Sequence, residues 1–183
     1  GIDTENTETG AEGRWSNCDK VRFRKGLPQK IGGWEKFSQD YYVGVGRALH
    51  QWLDNDGTRY EGLGTDRKVY VYRSGDNADI TPIRQSNTLT SVFNTTSGSS
   101  NVIVNHSTHG AQLGDFITIS NTAPTSIGGI SNSALDAQYE IIEITNADAY
   151  LISTSGTANA NVTTTGNCDI SYQISIGPDK QTF

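Results

Sequence analysis

RALHQWLDNDGTRYEGLGTDRKVYVYRSGDNADITPI, residues 47–83, decides the fold class. It reads as short strands (47–53, 58–65, 69–75 and 80–83) separated by the turns DNDG (54–57), DRK (66–68) and DNAD (76–79). Turn signals return about every 10–12 residues, the spacing of an antiparallel meander in a sandwich, barrel or propeller. Val69 and Val71 alternate with Tyr70 and Tyr72, so both faces of that strand expect cover. Pro82 ends the last strand, because proline brings no N–H to a ladder.

Beyond residue 100 the same signature continues. NVIVNHS (101–107), GDFITIS (114–120), QYEIIEIT (138–145), AYLIST (149–154), NANVTTT (159–165) and DISYQISIG (169–177) read as six strands. SIGGISNS and ADA supply turns, and Ser133–Asp136 has room for a single helical turn. The chain is therefore expected to be all-β: a partial, propeller-type meander over 1–90, then a small barrel or sandwich module over 91–183. The polar stretch QSNTLTSVFNTTSGSSN (85–101) is expected to be the crossing between them, with the boundary near 88–100.

Charge divides the chain at the same place. Residues 1–84 hold 13 bases and 13 acids, whereas 85–183 hold seven acids and one base, so the net charge of −6 resides in the second part. A nucleic-acid footprint needs clustered Lys and Arg, which this acidic part lacks. No apolar run approaches the ~18 residues of a membrane helix, so membrane insertion is not expected. The acidic, polar start GIDTENTETGAEG is unlike a secretory signal. The absence of Met and the abrupt Gln181-Thr182-Phe183 suggest a chain cut from something longer. Cys18 and Cys168, 150 positions apart, fit free thiols better than a disulfide framework.

The N-terminal stretch RWSNCDKVRFRKGLPQKIGGWEKF (14–37) carries most of the functional signal. Val21 and Phe23 alternate with Arg22 and Arg24, giving a strand with one apolar and one cationic face. Gly26-Leu27-Pro28 and then Gly32-Gly33 are read as breaks, and Trp15 and Trp34 bracket the element. Arg22 and Arg24 suit either a solvated face or a partner's carboxylates.

This stretch resembles the opening of the packaged-DNA stabilisation, or tail-nozzle, proteins of P22-like podoviruses. The matching residues are Asn17, Val21, Arg22, Phe23, Arg24, Gly26, Pro28, Lys30, Ile31, Gly32, Gly33 and Trp34. The resemblance implies a non-enzymatic virion protein of the phage tail, assembled in the host cytoplasm. Its partners would be its own copies in a hexameric ring, the head–tail adaptor, tail fibres or spikes, and, passively, packaged double-stranded DNA. Trp15, Arg22, Phe23, Arg24 and Trp34 are the expected interface residues. The family carries a propeller platform, and residues 40–84 amount to one blade, since a blade takes about 40–50 residues. STHGAQLGDFITIS with QYEIIEITNADAYLIST resembles a small β module of phage tail proteins, similar to the FCCH domain of ubiquitin-activating enzymes. Its signposts here, His109-Gly110, Gly114-Asp115 and Tyr139-Glu140, imply structure and no catalysis.

Other chemistries find little support, and no cofactor is expected. His106 and His109 have H-x-x-H spacing but no third ligand nearby in sequence, so a turn with two polar rings is expected. Asp54-Asn55-Asp56-Gly57 starts like a calcium loop, yet Thr65 stands where a bidentate Glu belongs. Gly44-Val45-Gly46 lacks the third glycine and the helix of a dinucleotide loop, and no G-x-S-x-G occurs. The sequons at Asn94, Asn105 and Asn161 fit chance in an Asn/Ser/Thr-rich chain. Two alternatives remain: a glycan- or receptor-binding tail module stacking sugars on Tyr41, Tyr42 or Trp52, and a glycosidase using Glu35 and Asp40.

Overall fold

The computed structural model describes residues 19–33, 35–36 and 38–174, and Trp15 and Trp34 lie outside them. The chain divides into two compact units, Gly1–Gln39 and Asp40–Phe183. Nearly every element is a strand, in antiparallel sheets, as expected of an all-β chain.

Among its described residues the first unit contains one hairpin, β1 (Val21–Arg24) and β2 (Leu27–Lys30). Its turn is Lys25–Gly26, both at positive φ (51° and 80°), the backbone of a two-residue hairpin loop. The expected break at Gly26-Leu27-Pro28 is thus corrected, since Leu27 and Pro28 belong to β2. Proline is tolerated because Arg24 and Leu27 form the hydrogen-bonded pair beside the turn. Phe23 and Pro28 then form the next, non-bonded pair, so the missing N–H faces away from β1.

The second unit starts with a four-stranded meander of β3 (Gly46–Leu53), β4 (Arg59–Thr65), β5 (Val69–Arg73) and β6 (Asp76–Asp79), paired in chain order. The expected turn 76–79 is itself a strand, because Ser74–Gly75 turn the chain at positive φ (54° and 95°). Residues 80–83, expected as a strand, contribute only Ile83 to the next one. Tyr70 and Tyr72 are buried on one face of β5, and the Tyr70 hydroxyl accepts from Val43 N at 3.0 Å.

The remaining strands are β7 (Ile83–Thr95), β8 (Asn101–Asn105), β9 (Phe116–Ala123), β10 (Ser126–Ile127), β11 (Ile130–Ser131), β12 (Gln138–Glu140), β13 (Glu143–Asn146), β14 (Ala149–Ser153) and β15 (Val162–Gln173). Seven of them form one sheet in the order β12-β9-β15-β7-β8-β14-β13. This ladder is open, which corrects the barrel alternative: hydrogen bonds do not join β12 to β13. Those two edges are instead linked through Ile141-Ile142, where Ile141 N donates to Asp115 O on one side and Ile142 N to Leu151 O on the other. QYEIIEIT is therefore two short strands, each pairing on its own side.

The stretch 85–101 read as a crossing is mostly β7, 13 residues long. Gln85, Asn87 and Leu89 alternate inward until Ser91, at φ 59°, shifts the phase and brings Val92 and Phe93 both into the core. NANVTTT and DISYQISIG likewise fuse into β15, whose register against β7 shifts around Thr165 near Thr164 and Gly166, both at positive φ. The core fills with Phe93, Val102, Val104, Ile117, Ile119, Ile152 and Ile170, all at most 1% exposed. One turn of helix, α1 (Asn132–Leu135), is capped by Ser131, whose hydroxyl accepts from Ala134 N at 3.3 Å. Cys168 is a free thiol inside this core, and burial pushes it up to about 12.

Candidate functional site

Of the five expected interface residues, Arg22, Phe23 and Arg24 fall among the described residues. Arg22 and Arg24 are exposed on one face of β1, with Val21 and Phe23 half-buried on the other. Arg22 donates from Nε to the Gln29 amide oxygen across the hairpin, at 3.1 Å. Lys20, Arg22, Arg24, Lys25 and Lys30 form no ion pair among the described residues. The hairpin therefore presents a dense positive charge, unpaired among the described residues, on a short two-stranded element.

A second surface is the exposed side of the meander. β3 is an edge strand with all eight residues exposed. Trp52 stacks between His50 and Tyr60, with ring centroids 5.9 Å and 5.7 Å away, and the Arg73 guanidinium lies 5.8 Å from the Tyr60 ring centre. The Trp52 indole is thus flanked by two neighbouring rings and is 39% exposed. Tyr41, 87% exposed, has more open ring surface for a sugar than Trp52 does.

Where the meander meets the seven-stranded sheet, sequence reasoning missed a polar junction. Lys68 is 2% exposed, with its ammonium 2.7 Å from Asp79 Oδ2, 4.2 Å from the Phe116 ring centre, and bonded to the Gln138 amide oxygen. Asp79 also accepts from Gln173 Nε2 at 3.0 Å and from the Thr81 N–H and hydroxyl at 2.9 Å and 2.6 Å. Burial alone would raise the Asp79 carboxyl; the hydrogen bonds from Lys68, Thr81 and Gln173 outweigh it and hold it well below the ordinary value of 3.8. Arg67 adds a second link, donating to Gly114 O at 2.8 Å and to Glu140 Oε1 at 2.6 Å. Nothing in the turn DRK distinguishes a lysine aimed inward from two solvated bases, so no sequence signal marked this junction.

The turn expected between His106 and His109 is present, at Ser107–Thr108, and both rings are buried. His106 Nδ1 lies 2.6 Å from the Tyr172 hydroxyl, which in turn lies 2.8 Å from that of Tyr150. His109 accepts the Ala111 N–H at Nδ1, so its Nε2 proton donates to Asn146 O at 3.1 Å. Burial, then the proximity of His109 and Arg84, push His106 below 6.5 and keep it neutral. The ring nitrogens of His109, His106 Nδ1 and both tyrosine hydroxyls have protein partners, and the cluster fills the core. Among the described residues no group of three or more His, Cys, Asp or Glu side chains converges to hold a metal. No helix there is long and apolar enough to cross a membrane.

No family model and no curated protein matches the chain. Among solved structures it is similar to the phage phi92 endosialidase, at 14% sequence identity and a TM-score of 0.40. That alignment covers 86% of this chain and 22% of the endosialidase, so the chain spans about a fifth of that protein's length. At this score the likeness bears on neither activity nor substrate.

Proposed function

We propose that this chain is a structural subunit of a bacteriophage tail, part of the nozzle or hub ring that follows the head–tail adaptor, retains packaged DNA and docks fibres or spikes. The observation that supports it is the N-x-x-x-VRFR-x-G-x-P-x-KIGGW string, whose VRFR and LPQK segments are the two strands of an exposed cationic hairpin. The blade-like meander with its exposed edge strand suits a protein that works by contact with neighbours. The acidic second part suits a surface over which DNA phosphates slide without sticking. In this reading the protein resides in the virion, is assembled in the host cytoplasm and performs no catalysis.

Particles of the source virus made without this protein test the reading. They are expected to package DNA and then lose it, so that the fraction of filled heads falls at least tenfold in density-gradient profiles. Filled, stable and infectious particles would rule the reading out. A glycan-binding alternative rests on Tyr41 and Tyr42, and would be favoured by cell-surface binding that disappears in Tyr42→Ala.

A further inference from the structure

The hairpin β1–β2 leaves much of its surface exposed. It belongs to a compact unit of its own, β2 is exposed throughout, and Leu27 and Ile31 are 71% and 54% exposed. An isolated two-stranded hairpin is marginal in water and needs a further surface to be held. Its chemistry says what kind. Residues 19–39 carry six bases against two acids, a net of +4, and the five hairpin cations have no anionic partner among the described residues. Residues 85–174 carry six acids and no base.

On that acidic module one place matches the hairpin in both charge and apolar content. β13 ends the seven-stranded sheet, so one side of its backbone has no strand partner among the described residues. Glu143 at its start is exposed and forms no ion pair there. Ile142 beside it is 44% exposed, and Leu113, brought alongside by the Gly114 N–H donating to Ile141 O, is 66% exposed. A carboxylate and two exposed aliphatic residues thus lie beside the strand-free side of β13.

We infer that the β1–β2 hairpin is an exchanged arm: in one copy it docks on the Leu113–Ile142–Glu143 patch and the open β13 edge of a second copy. Arg22 and Arg24 meet Glu143, and Leu27 and Ile31 cover Ile142 and Leu113. β1 is the strand that adds to β13, because Pro28 removes one of the donors from the outer side of β2. The inference rests on the ring reading only in requiring more than one copy.

The test mixes two full-length variants whose folding is checked by circular dichroism. Arg22→Glu with Arg24→Glu makes arm and patch both negative; Glu143→Lys makes both positive. Each variant alone is expected to self-associate at least tenfold more weakly than the native chain, measured by light scattering at low ionic strength. Their equimolar mixture is expected to recover association, because each arm then finds an opposite charge on the other chain. Docking within one chain gains nothing from mixing, so variants that stay apart when mixed overturn the inference. Native-like association of both variants removes the arm but leaves the ring reading standing, whereas a native chain monomeric at every concentration removes both. Loss of duplex-DNA binding in the arginine variant, with its mass unchanged, would assign the arm to phosphates and overturn the inference.

Discussion

Replacing Asp79 by alanine is expected to lower the unfolding free energy by about 3 kcal/mol, the low end for breaking a buried ion pair. The cost arises on the other partner: Lys68, 2% exposed, would keep its charge with one amide oxygen and one aromatic ring as company. The low end applies because the Asp79 side chain is 23% exposed, so water recovers part of the loss. Urea unfolding monitored by fluorescence measures it, and Lys68→Met in the Asp79→Ala background is expected to restore most of the stability. A loss that Lys68→Met does not repair would mean that the buried charge is not its source. The same junction sets an acid limb. The Asp79 carboxyl is depressed in the folded state, so its contribution is fully present above the ordinary value of 3.8 and fades as pH falls through the lower folded value. The native chain should therefore lose stability below about pH 4 more steeply than Asp79→Asn.

The second large effect is expected at Phe93, fully buried where the seven-stranded sheet packs on itself. A Cβ on Gly166 would stand 3.2 Å from Phe93 Cδ2 and 2.4 Å from Ile127 Cδ1, which shows how little slack surrounds the ring. Phe93→Ala should cost about 3–5 kcal/mol, from lost transfer energy and a cavity that close-packed neighbours cannot fill. Leu53→Ala, on exposed β3, should stay within about 0.5 kcal/mol in the same denaturation series. A Phe93→Ala loss below about 1 kcal/mol would mean that the sheet collapses readily around the gap, contrary to the packing described.

These two positions also show what the sequence made legible. The meander could be read because VYVYR and RYEGLGT carry β-branched and aromatic residues between Gly- and Asp-rich turns. β7 could not, because its inward positions include Gln85 and Asn87, and the bulge at Ser91 breaks the alternation midway. Bulges near Thr164 and Gly166 split β15 into two apparent strands for the same reason. The hairpin turn was misplaced by one position because Lys25 takes a left-handed backbone usually given to Asn or Gly. At the candidate surface, the cationic face of Arg22 and Arg24 was legible from alternation alone. The patch at Leu113, Ile142 and Glu143 was not, because it is assembled by the Gly114–Ile141 backbone contact between residues far apart in sequence. The Lys68–Asp79 junction was hidden likewise, since pairing of a turn lysine depends on which sheet packs above it.

The central claim, that this chain is a component of a phage tail, is tested most directly by where the protein sits. An antibody against the chain, carried on gold and applied to intact particles of the source virus, is expected to label the tail just below the head. Particles that remain unlabelled both intact and after disruption would contradict the claim.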